Sequence, residues 1–229
     1  MKLLEVGLVA QLSLAVVAVL VAVTAPTRLR SVLSGGTTLL LGLTGVGTGA
    51  LALGGHTGIV SAPLTVGLGL GQGVEATLSP DRLGGLFMVL AGAVGAVAAL
   101  YSIGYARGPA GSRTGCSAFA VFLLGLQLVP ASGDVVAFLL TWELMAIGST
   151  ILVFAEHGRR VQVRSAGLWY AAMTHLSFVF LLAGFAVLIV AGHSSSFATL
   201  AAGRIGGGSA GLAFVLLTLG FVTKAGLVP

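Results

Sequence analysis

The sequence contains very few charged residues. Only 7% of its 229 residues are charged, while 57% are hydrophobic and the mean hydropathy is +1.10. Because a soluble domain carries about a quarter charged residues, this composition excludes one. The chain is predicted to be an all-α, polytopic membrane protein.

Cysteine is also scarce, because Cys116 is the only cysteine in the sequence. One cysteine excludes an intrachain disulfide and any multi-cysteine metal site. The glycine-rich run at 67–73 lacks the strand–turn–helix context that a nucleotide-binding motif needs. No catalytic nucleophile and no metal site is predicted, and no cofactor is expected, whether flavin, haem or iron–sulfur cluster.

Glycine, in contrast, is abundant, with 36 residues scattered through the chain without a collagen-like period. Small residues let helices approach each other closely within lipid. The excess of glycine therefore predicts tight helix–helix packing.

Seven hydrophobic segments are predicted to be transmembrane helices. They are residues 3–23, 31–54, 83–104, 116–129, 135–155, 168–191 and 210–229. The first resembles a cleaved signal peptide only faintly, because Glu5 and Gln11 interrupt it and Pro26 would follow the cut. The fourth is short, and the last is predicted to be a broken helix.

Three connecting segments carry local signals. Residues 55–82 are predicted to be an extramembrane loop, in which alternating Val74, Ala76 and Leu78 favour a short hairpin. The polar segment 192–209 is expected to include a short interfacial helix at 197–202. The turn at 130–134 is tight, so the fourth and fifth helices are expected to be antiparallel neighbours.

Basic residues are divided unequally between two sets of predicted loops. Loops one, three and five hold Arg28, Arg30, Arg107, Arg113, Arg159, Arg160 and Arg164. The N-terminus and loops two, four and six hold Lys2, Arg82 and Arg204. The inside-positive bias predicts a cell-membrane protein with its N-terminus outside and its odd-numbered loops in the cytoplasm. The net charge of +5 is therefore a topology signal and argues against nucleic-acid binding.

Glu143 is the single ionisable residue between positions 135 and 155. It lies nine residues beyond Asp134, about 13 Å at 1.5 Å per residue, near the midplane of a ~30 Å hydrocarbon core. Packing alone is the simpler interpretation, with a carboxyl that stays protonated or hydrogen-bonded. Because a carboxylate at this depth costs roughly 2.5–3.5 kcal/mol on insertion scales, a proton acceptor is the favoured interpretation.

Lys224 is equally isolated, about fourteen residues into the last predicted span. Snorkelling to an interface is the alternative interpretation. Gly220, Gly226 and Pro229 surround it, and Pro229 cannot donate a hydrogen bond to the carbonyl of Ala225, so the helix is predicted to break just beyond the lysine. Because broken helices build the ion sites of transporters, a functional lysine is favoured.

His175 lies near mid-depth on the sixth predicted span, beside Thr174. A lone histidine is often a hydrogen-bonded core residue, and a proton-relay role between Glu143 and Lys224 is the equally weighted alternative. A desolvated carboxylate holds its proton more tightly, and a nearby cation weakens that hold. Movement of the lysine would therefore switch the proton occupancy of the glutamate.

Three sequence motifs carry a family resemblance. Thr141-Trp-Glu-Leu-Met145, Tyr101-Ser-Ile-Gly-Tyr105 and Phe221-Val-Thr-Lys-Ala-Gly-Leu-Val-Pro229 resemble the proton-conducting antiporter-type subunits of respiratory complex I and its relatives. The second of these, together with Met173-Thr-His175, is similar to the branch of hydrogenase-4 component B and the formate hydrogenlyase membrane subunit. The resemblance spans most of residues 80–229 and is most specific at the glutamate and lysine motifs.

The resemblance implies a mechanism and a set of partners. In this family the fifth-helix glutamate and the lysine of a broken seventh helix form the core of a proton path, which implies these roles for Glu143 and Lys224. A relay role for His175 is carried over with them. The implied partners are other membrane-arm and peripheral subunits of a complex I-like or hydrogenase-like assembly, within the lipid bilayer.

The resemblance also implies a division of the chain. Residues 1–114 correspond to an N-terminal three-helix region, and residues 115–229 to four helices of a first antiporter-like repeat. Family members have about fourteen helices, with two inverted five-helix repeats, so this repeat is incomplete and a second is absent. A fragment, a truncated product and one piece of a split subunit are the alternatives that the sequence leaves open.

Three functional hypotheses follow. The first is a non-redox, proton-translocating membrane subunit of a complex I-like or group-4 hydrogenase-like oxidoreductase, coupled to electron transport in partner subunits. The second is a subunit of a multi-subunit cation/proton antiporter, which has no redox partners. The third is an inactive, truncated scaffold fragment.

Overall fold

A computed structural model describes residues 2–64, 74–105, 111–154 and 161–227 of the chain. The described residues form eight helices and one two-stranded sheet. The helices are α1 (Leu3–Thr24), α2 (Thr27–Leu53), α3 (Arg82–Tyr105), α4 (Arg113–Leu128), α5 (Val135–Phe154), α6 (Val161–Gly192), α7 (Phe197–Ala202) and α8 (Gly207–Lys224). The strands are β1 (Val60–Leu64) and β2 (Val74–Leu78).

The predicted all-α, polytopic membrane fold is confirmed. Within the described ranges, six helices are long and apolar enough to cross a membrane: α1, α2, α3, α5, α6 and α8. The fourth predicted span corresponds to α4, which is apolar but has 16 residues, a length of about 24 Å. The short helix expected at 197–202 is present as α7.

Helices α2 and α3 pack through glycines that repeat every seven residues. A Cβ atom on Gly42 would lie 2.9 Å from the carbonyl oxygen of Gly92, and one on Gly49 would lie 2.6 Å from that of Gly85. The two backbones are therefore in direct contact, which accounts for the most extensive interhelical contact in the structure. The glycine excess of the sequence has the packing role that was predicted for it.

Helices α4 and α5 are antiparallel neighbours, as the tight turn between them predicted. Gly125 of α4 packs against Met145, and one turn earlier on α4 Phe122 packs against Gly148. Helix α4 also contacts α1, α2 and α3. It therefore joins the three N-terminal helices to the C-terminal part of the chain.

The predicted hairpin is also confirmed, with β1 and β2 antiparallel and Val60 opposite Leu78. Its anchor is Asp134, whose side chain accepts two backbone hydrogen bonds. Oδ2 accepts from the amide of Thr77 in β2 at 2.6 Å, while Oδ1 accepts from the amide of Ala137 at 2.7 Å. One buried carboxylate thus caps α5 and holds the hairpin against it. The loop residues 65–73 lie outside the described part.

Helix α8 lies antiparallel to α6 and ends at Lys224. Beyond it, the amide of Leu227 donates to the carbonyl of Val222, and the amide of Gly226 donates to that of Thr223. With Gly226 at φ +72°, this is a Schellman motif. The helix ends where the sequence predicted, but the residue responsible is Gly226; Pro229 lies outside the described part.

Five arginines expected in loops lie in helices instead. Arg28 and Arg30 belong to the first turn of α2, and Arg164 belongs to α6, which begins at Val161. Arg82 and Arg113 are the first residues of α3 and α4. Arg30 is also buried, with 7% of its surface exposed. Hydropathy places the start of a span at its first apolar run, whereas a helix continues into the polar residues that precede the run.

Candidate functional site

Two of the three predicted site residues are in direct contact. Oε1 of Glu143 on α5 lies 3.3 Å from Nε2 of His175 on α6, with 23% of the glutamate side chain and 57% of the histidine side chain exposed. Within the described ranges this is the one contact between an acidic and a basic side chain at ion-pair distance. The structure therefore joins the carboxylate to the histidine.

The second ring nitrogen of His175 contacts the backbone of its own helix. Nδ1 lies 2.8 Å from the carbonyl oxygen of Ala171. Because a carbonyl oxygen only accepts, Nδ1 is the donor in this contact, and Nε2 is the ring nitrogen that faces Glu143. The contact with Ala171 therefore orients the ring toward the carboxyl group.

Lys224 is held differently, against aromatic rings. Its Nζ lies 5.8 Å from the centre of the Trp142 ring and 6.0 Å from that of the Tyr170 ring. The nitrogen is buried and has no hydrogen-bond partner within the described residues. A cation over a ring face is attracted by the negative π surface. These two rings are therefore the contacts that stabilise a charged Lys224.

Glu143 and Lys224 do not form a direct ion pair within the described part of the chain. Trp142, the residue before the glutamate on α5, contacts the lysine. Oε2 of Glu143 is buried and lacks a hydrogen-bond partner, as does Nζ of Lys224. Each group therefore has a buried polar atom that is able to form a further hydrogen bond.

Two interhelical hydrogen bonds and an aromatic cluster position α5, α6 and α8. The hydroxyl of Tyr170 donates to Oγ of Ser149 at 2.9 Å, and the hydroxyl of Ser177 donates to the carbonyl oxygen of Gly220 at 2.7 Å. The aromatic cluster consists of Phe138, Trp142, Phe185, Phe197 and Phe221. These contacts set the rotation of the three helices that carry the site.

A cavity of about 510 Å³ opens beside the lysine, between α6 and the end of α8. Tyr170 and Thr174 line it from α6, and Thr223, Lys224 and Gly226 line it from α8. Both threonines contribute hydroxyl groups, which accept and donate hydrogen bonds. The cavity provides space for water next to Lys224.

The aromatic contacts of Lys224 are the part of the site that the sequence did not reveal. The structure places Trp142 and Tyr170 against the lysine, whereas the sequence motifs indicated Glu143, His175 and Lys224 alone. The sequence did contain a signal for these contacts, because Trp142 is next to Glu143 and Tyr170 lies on the same helix as His175. A buried lysine without an adjacent carboxylate is expected to use aromatic faces.

These features define a class of protein: a multi-pass helical membrane protein with an acid, a histidine and a lysine on three adjacent apolar helices. Residues 132–229 match a family model described as NADH:quinone oxidoreductase/Mrp antiporter, transmembrane. The matched region contains all three site residues. The resemblance that the sequence motifs indicated is therefore confirmed over residues 132–229.

Two proteins of Mycobacterium tuberculosis, one from each of two strains and both described as uncharacterized, are similar to this chain. Each is 48% identical over 144 residues, which cover 63% of this chain and 22% of the relative. The matched region therefore spans less than a quarter of the length of these relatives.

Two solved structures share the fold. The membrane-bound sulfane sulfur reductase, an archaeal respiratory membrane complex, contains a chain with a TM-score of 0.73 and 16% identity, which covers 97% of this chain and 44% of that one. The Mrp complex from a Dietzia species contains one with a TM-score of 0.76 and 18% identity, which covers 96% of this chain and 23% of that one. At these identities the likeness is one of fold.

Proposed function

We propose that this chain supplies part of a proton path in the membrane arm of a complex I-like or group-4 hydrogenase-like oxidoreductase. Glu143 is the central proton acceptor, His175 the relay group and Lys224 the cation that modulates them. The observation that carries the proposal is the 3.3 Å contact between Oε1 of Glu143 and Nε2 of His175. The family match over residues 132–229 supports it.

The mechanism rests on the response of buried groups to neighbouring charge. A carboxyl group holds its proton more tightly as it is desolvated, and less tightly as a cation approaches. When Lys224 is charged and near, Glu143 and His175 share their proton as carboxylate and imidazolium. When Lys224 moves away or loses its charge, the neutral form is favoured and the proton resides on Glu143. Conformational changes in partner subunits, coupled to electron transport, would drive this movement.

The cavity beside Lys224 supports a route for the proton beyond this pair. Its threonine hydroxyls and the space for water extend from Thr174, next to His175, to Thr223, next to Lys224. A chain of waters and hydroxyls conducts protons without movement of the side chains that hold it. We infer that the proton passes between His175 and Lys224 along this cavity wall.

The organisation of the chain is part of the proposal. Residues 1–114 form an N-terminal three-helix region and residues 115–229 form part of an antiporter-like repeat. The N-terminus lies outside the cell membrane, and the odd-numbered loops lie in the cytoplasm. The hydrogenase-4-like branch is proposed on Tyr101-Ser-Ile-Gly-Tyr105 and Met173-Thr-His175 alone.

A second candidate is a subunit of a multi-subunit cation/proton antiporter. The fold likeness to the Mrp complex, at a TM-score of 0.76, is the observation that favours it. The two candidates share the site and differ in their partners, because an antiporter has no redox subunits. Redox subunits among the proteins that co-purify with the chain would favour the first, and their absence the second. An inactive scaffold, the third hypothesis, predicts no transport under any condition.

The experiment compares Glu143→Gln with wild type in the complex isolated from its own membrane and reconstituted into vesicles. Glutamine keeps the size of the side chain but holds no exchangeable charge. Proton translocation is expected to fall at least tenfold, while the complex keeps its subunit composition. Glu75→Gln is the matched control, because Glu75 is an exposed glutamate of the hairpin. Unchanged translocation in Glu143→Gln would refute the proposal.

A further inference from the structure

The hydroxyl group of Tyr170 forms a second polar contact between α5 and α6. It donates to Oγ of Ser149 at 2.9 Å. Ser149 lies six residues beyond Glu143 on α5, about 9 Å along the helix. Tyr170 likewise precedes His175 by five residues on α6. The contact is therefore separate from the pair of Glu143 and His175, and the proposed proton transfer does not use it.

The acceptor in this contact is held by its own helix. The hydroxyl group of Ser149 donates to the carbonyl oxygen of Ala146 at 2.9 Å. Because that bond uses the single hydrogen of the serine, its oxygen keeps lone pairs for the donor on Tyr170. A phenol hydroxyl without a partner is costly in an apolar bundle, so the tyrosine gains from this acceptor. Ser149 therefore offers Tyr170 an acceptor at a fixed position.

The same tyrosine presents its ring to Lys224. Nζ of the lysine lies 6.0 Å from the centre of the ring. Because the ring is bonded at its hydroxyl end, the contact with Ser149 restrains its rotation and so sets the position of its face. Trp142, the other ring on the lysine, lies seven residues before Ser149, which places both residues on one face of α5. That face holds the lysine directly through Trp142 and indirectly through Tyr170.

Lys224 depends on these rings for its position. Its Nζ is buried and has no hydrogen-bond partner within the described residues. Tyr170 and Lys224 both line the cavity of about 510 Å³, so there is space next to the lysine. A lysine has a flexible four-carbon stem and adopts several rotamers unless its surroundings restrict it. Displacement of the Tyr170 ring would therefore release Lys224 toward the cavity.

We propose that Ser149 is a positioning residue, which holds Lys224 in place through the ring of Tyr170. The hydroxyl contact restrains the ring, and the ring face holds the lysine on the side of α5 that carries Trp142. This role rests on the proposed function of Lys224 as the cation that modulates Glu143. Ser149 acts through the tyrosine, so removal of either hydroxyl group has the same consequence.

Chemical labelling of Lys224 tests this inference without a measurement of transport. The sequence contains two lysines, and the exposed Lys2 serves as the internal reference. The intact complex is treated with fluorodinitrobenzene, and mass spectrometry of its peptides gives the labelling rate of Lys224 relative to that of Lys2. Ser149→Ala and Tyr170→Phe, which keeps the ring, are each expected to raise this relative rate roughly threefold, the effect of losing one neutral hydrogen bond.

Three further variants separate positioning from a general effect on folding. Ser149→Thr retains the hydroxyl group and is expected to keep the wild-type rate. Ser102→Ala is the matched control, because the hydroxyl group of Ser102 also donates to its own helix, to the carbonyl oxygen of Ala99 at 2.6 Å. It is expected to leave the rate unchanged. The double variant of Ser149→Ala with Tyr170→Phe is expected to match either single variant, because both remove the same contact.

An unchanged labelling rate in Ser149→Ala and Tyr170→Phe would overturn the inference, even if both variants lower the thermal stability of the complex. Additive effects in the double variant would also overturn it, because the two hydroxyl groups would then act separately. Failure of the proposed function gives a different result, namely unchanged proton translocation in Glu143→Gln. The labelling of Lys224 does not depend on that outcome.

Discussion

Oε1 of Glu143 and Nε2 of His175 lie 3.3 Å apart, and the other ring nitrogen of His175 is committed to the carbonyl oxygen of Ala171. The ring of His175 therefore connects the backbone of α6 with the carboxyl group on α5. Lys224 lies beyond them, held by the rings of Trp142 and Tyr170. The glutamate and the lysine are thus held by separate contacts.

The contact between Glu143 and His175 leads to a prediction for His175→Gln. Glutamine removes the titratable ring, so Glu143 loses its relay partner, and proton translocation by the reconstituted complex is expected to fall roughly tenfold or more. His56→Gln is the matched control, because the ring of His56 also contacts a carbonyl oxygen, that of Leu51 at 3.2 Å, without an acidic partner in the described part. Equal translocation rates in the two variants would exclude a relay role for His175.

The ring contacts of Lys224 lead to a second prediction. Trp142→Leu removes the ring beneath the ammonium, a contact worth about 0.5–2 kcal/mol, whereas Trp142→Phe retains an aromatic face. The leucine variant is expected to lose more translocation activity than the phenylalanine variant, because Lys224 is less firmly held. Phe87→Leu, at an exposed phenylalanine of α3, controls for loss of an aromatic ring away from the site. The prediction fails if the leucine and phenylalanine variants of Trp142 have the same rate.

The glycine contact between α2 and α3 predicts a stability difference between two substitutions in one helix. Gly42→Ala places a Cβ atom 2.8 Å from the amide nitrogen of Ala96, so the backbones must separate, at a cost of about 1–3 kcal/mol. Gly47→Ala meets nothing within 4 Å and is expected to be neutral or stabilising by up to about 1 kcal/mol. Thermal denaturation of the detergent-solubilised complex measures both. A Gly42→Ala variant as stable as Gly47→Ala would contradict this packing.

The double role of Asp134 predicts that one substitution weakens two elements. Asp134→Ala removes the cap of α5, about 1–2 kcal/mol, together with the hydrogen bond from Thr77 of the hairpin. Lower thermal stability and faster proteolysis within the hairpin are both expected. Asp81→Ala is the control, because Asp81 accepts a bond from Gly84 at the start of α3 without contacting the hairpin strands. If the two variants show the same proteolysis, Asp134 does not anchor the hairpin.

Local sequence patterns were sufficient for much of the fold. Alternation in β2 predicted the hairpin, and a short apolar run between polar residues predicted α7. The sequence predicted the end of α8 at the correct residue but attributed it to Pro229. In the structure, the left-handed φ of Gly226 and the hydrogen bonds of the Schellman motif accompany the end of the helix. Such caps depend on backbone geometry several residues ahead of a proline.

The arrangement of the site was less accessible from sequence. The motifs identified Glu143, Lys224 and His175 but not which of them are in contact. That depends on the rotation of α5, α6 and α8 about their axes, which is set by contacts such as Ser177 with Gly220. When all faces of a helix are apolar, its hydropathy pattern does not indicate which face turns toward the neighbouring helices. The pairing of Glu143 with His175 therefore required the structure.

The most direct test of the account is whether Glu143 changes its protonation state during turnover. Infrared difference spectroscopy compares the intact complex in its resting and driven states. It detects the C=O stretch of the carboxyl group, which is present when the glutamate is protonated and absent when it is ionised. The account predicts a difference band that disappears in Glu143→Gln and persists in Glu75→Gln. A spectrum that is identical in wild type and Glu143→Gln would contradict the central claim, because the proton would then bypass Glu143.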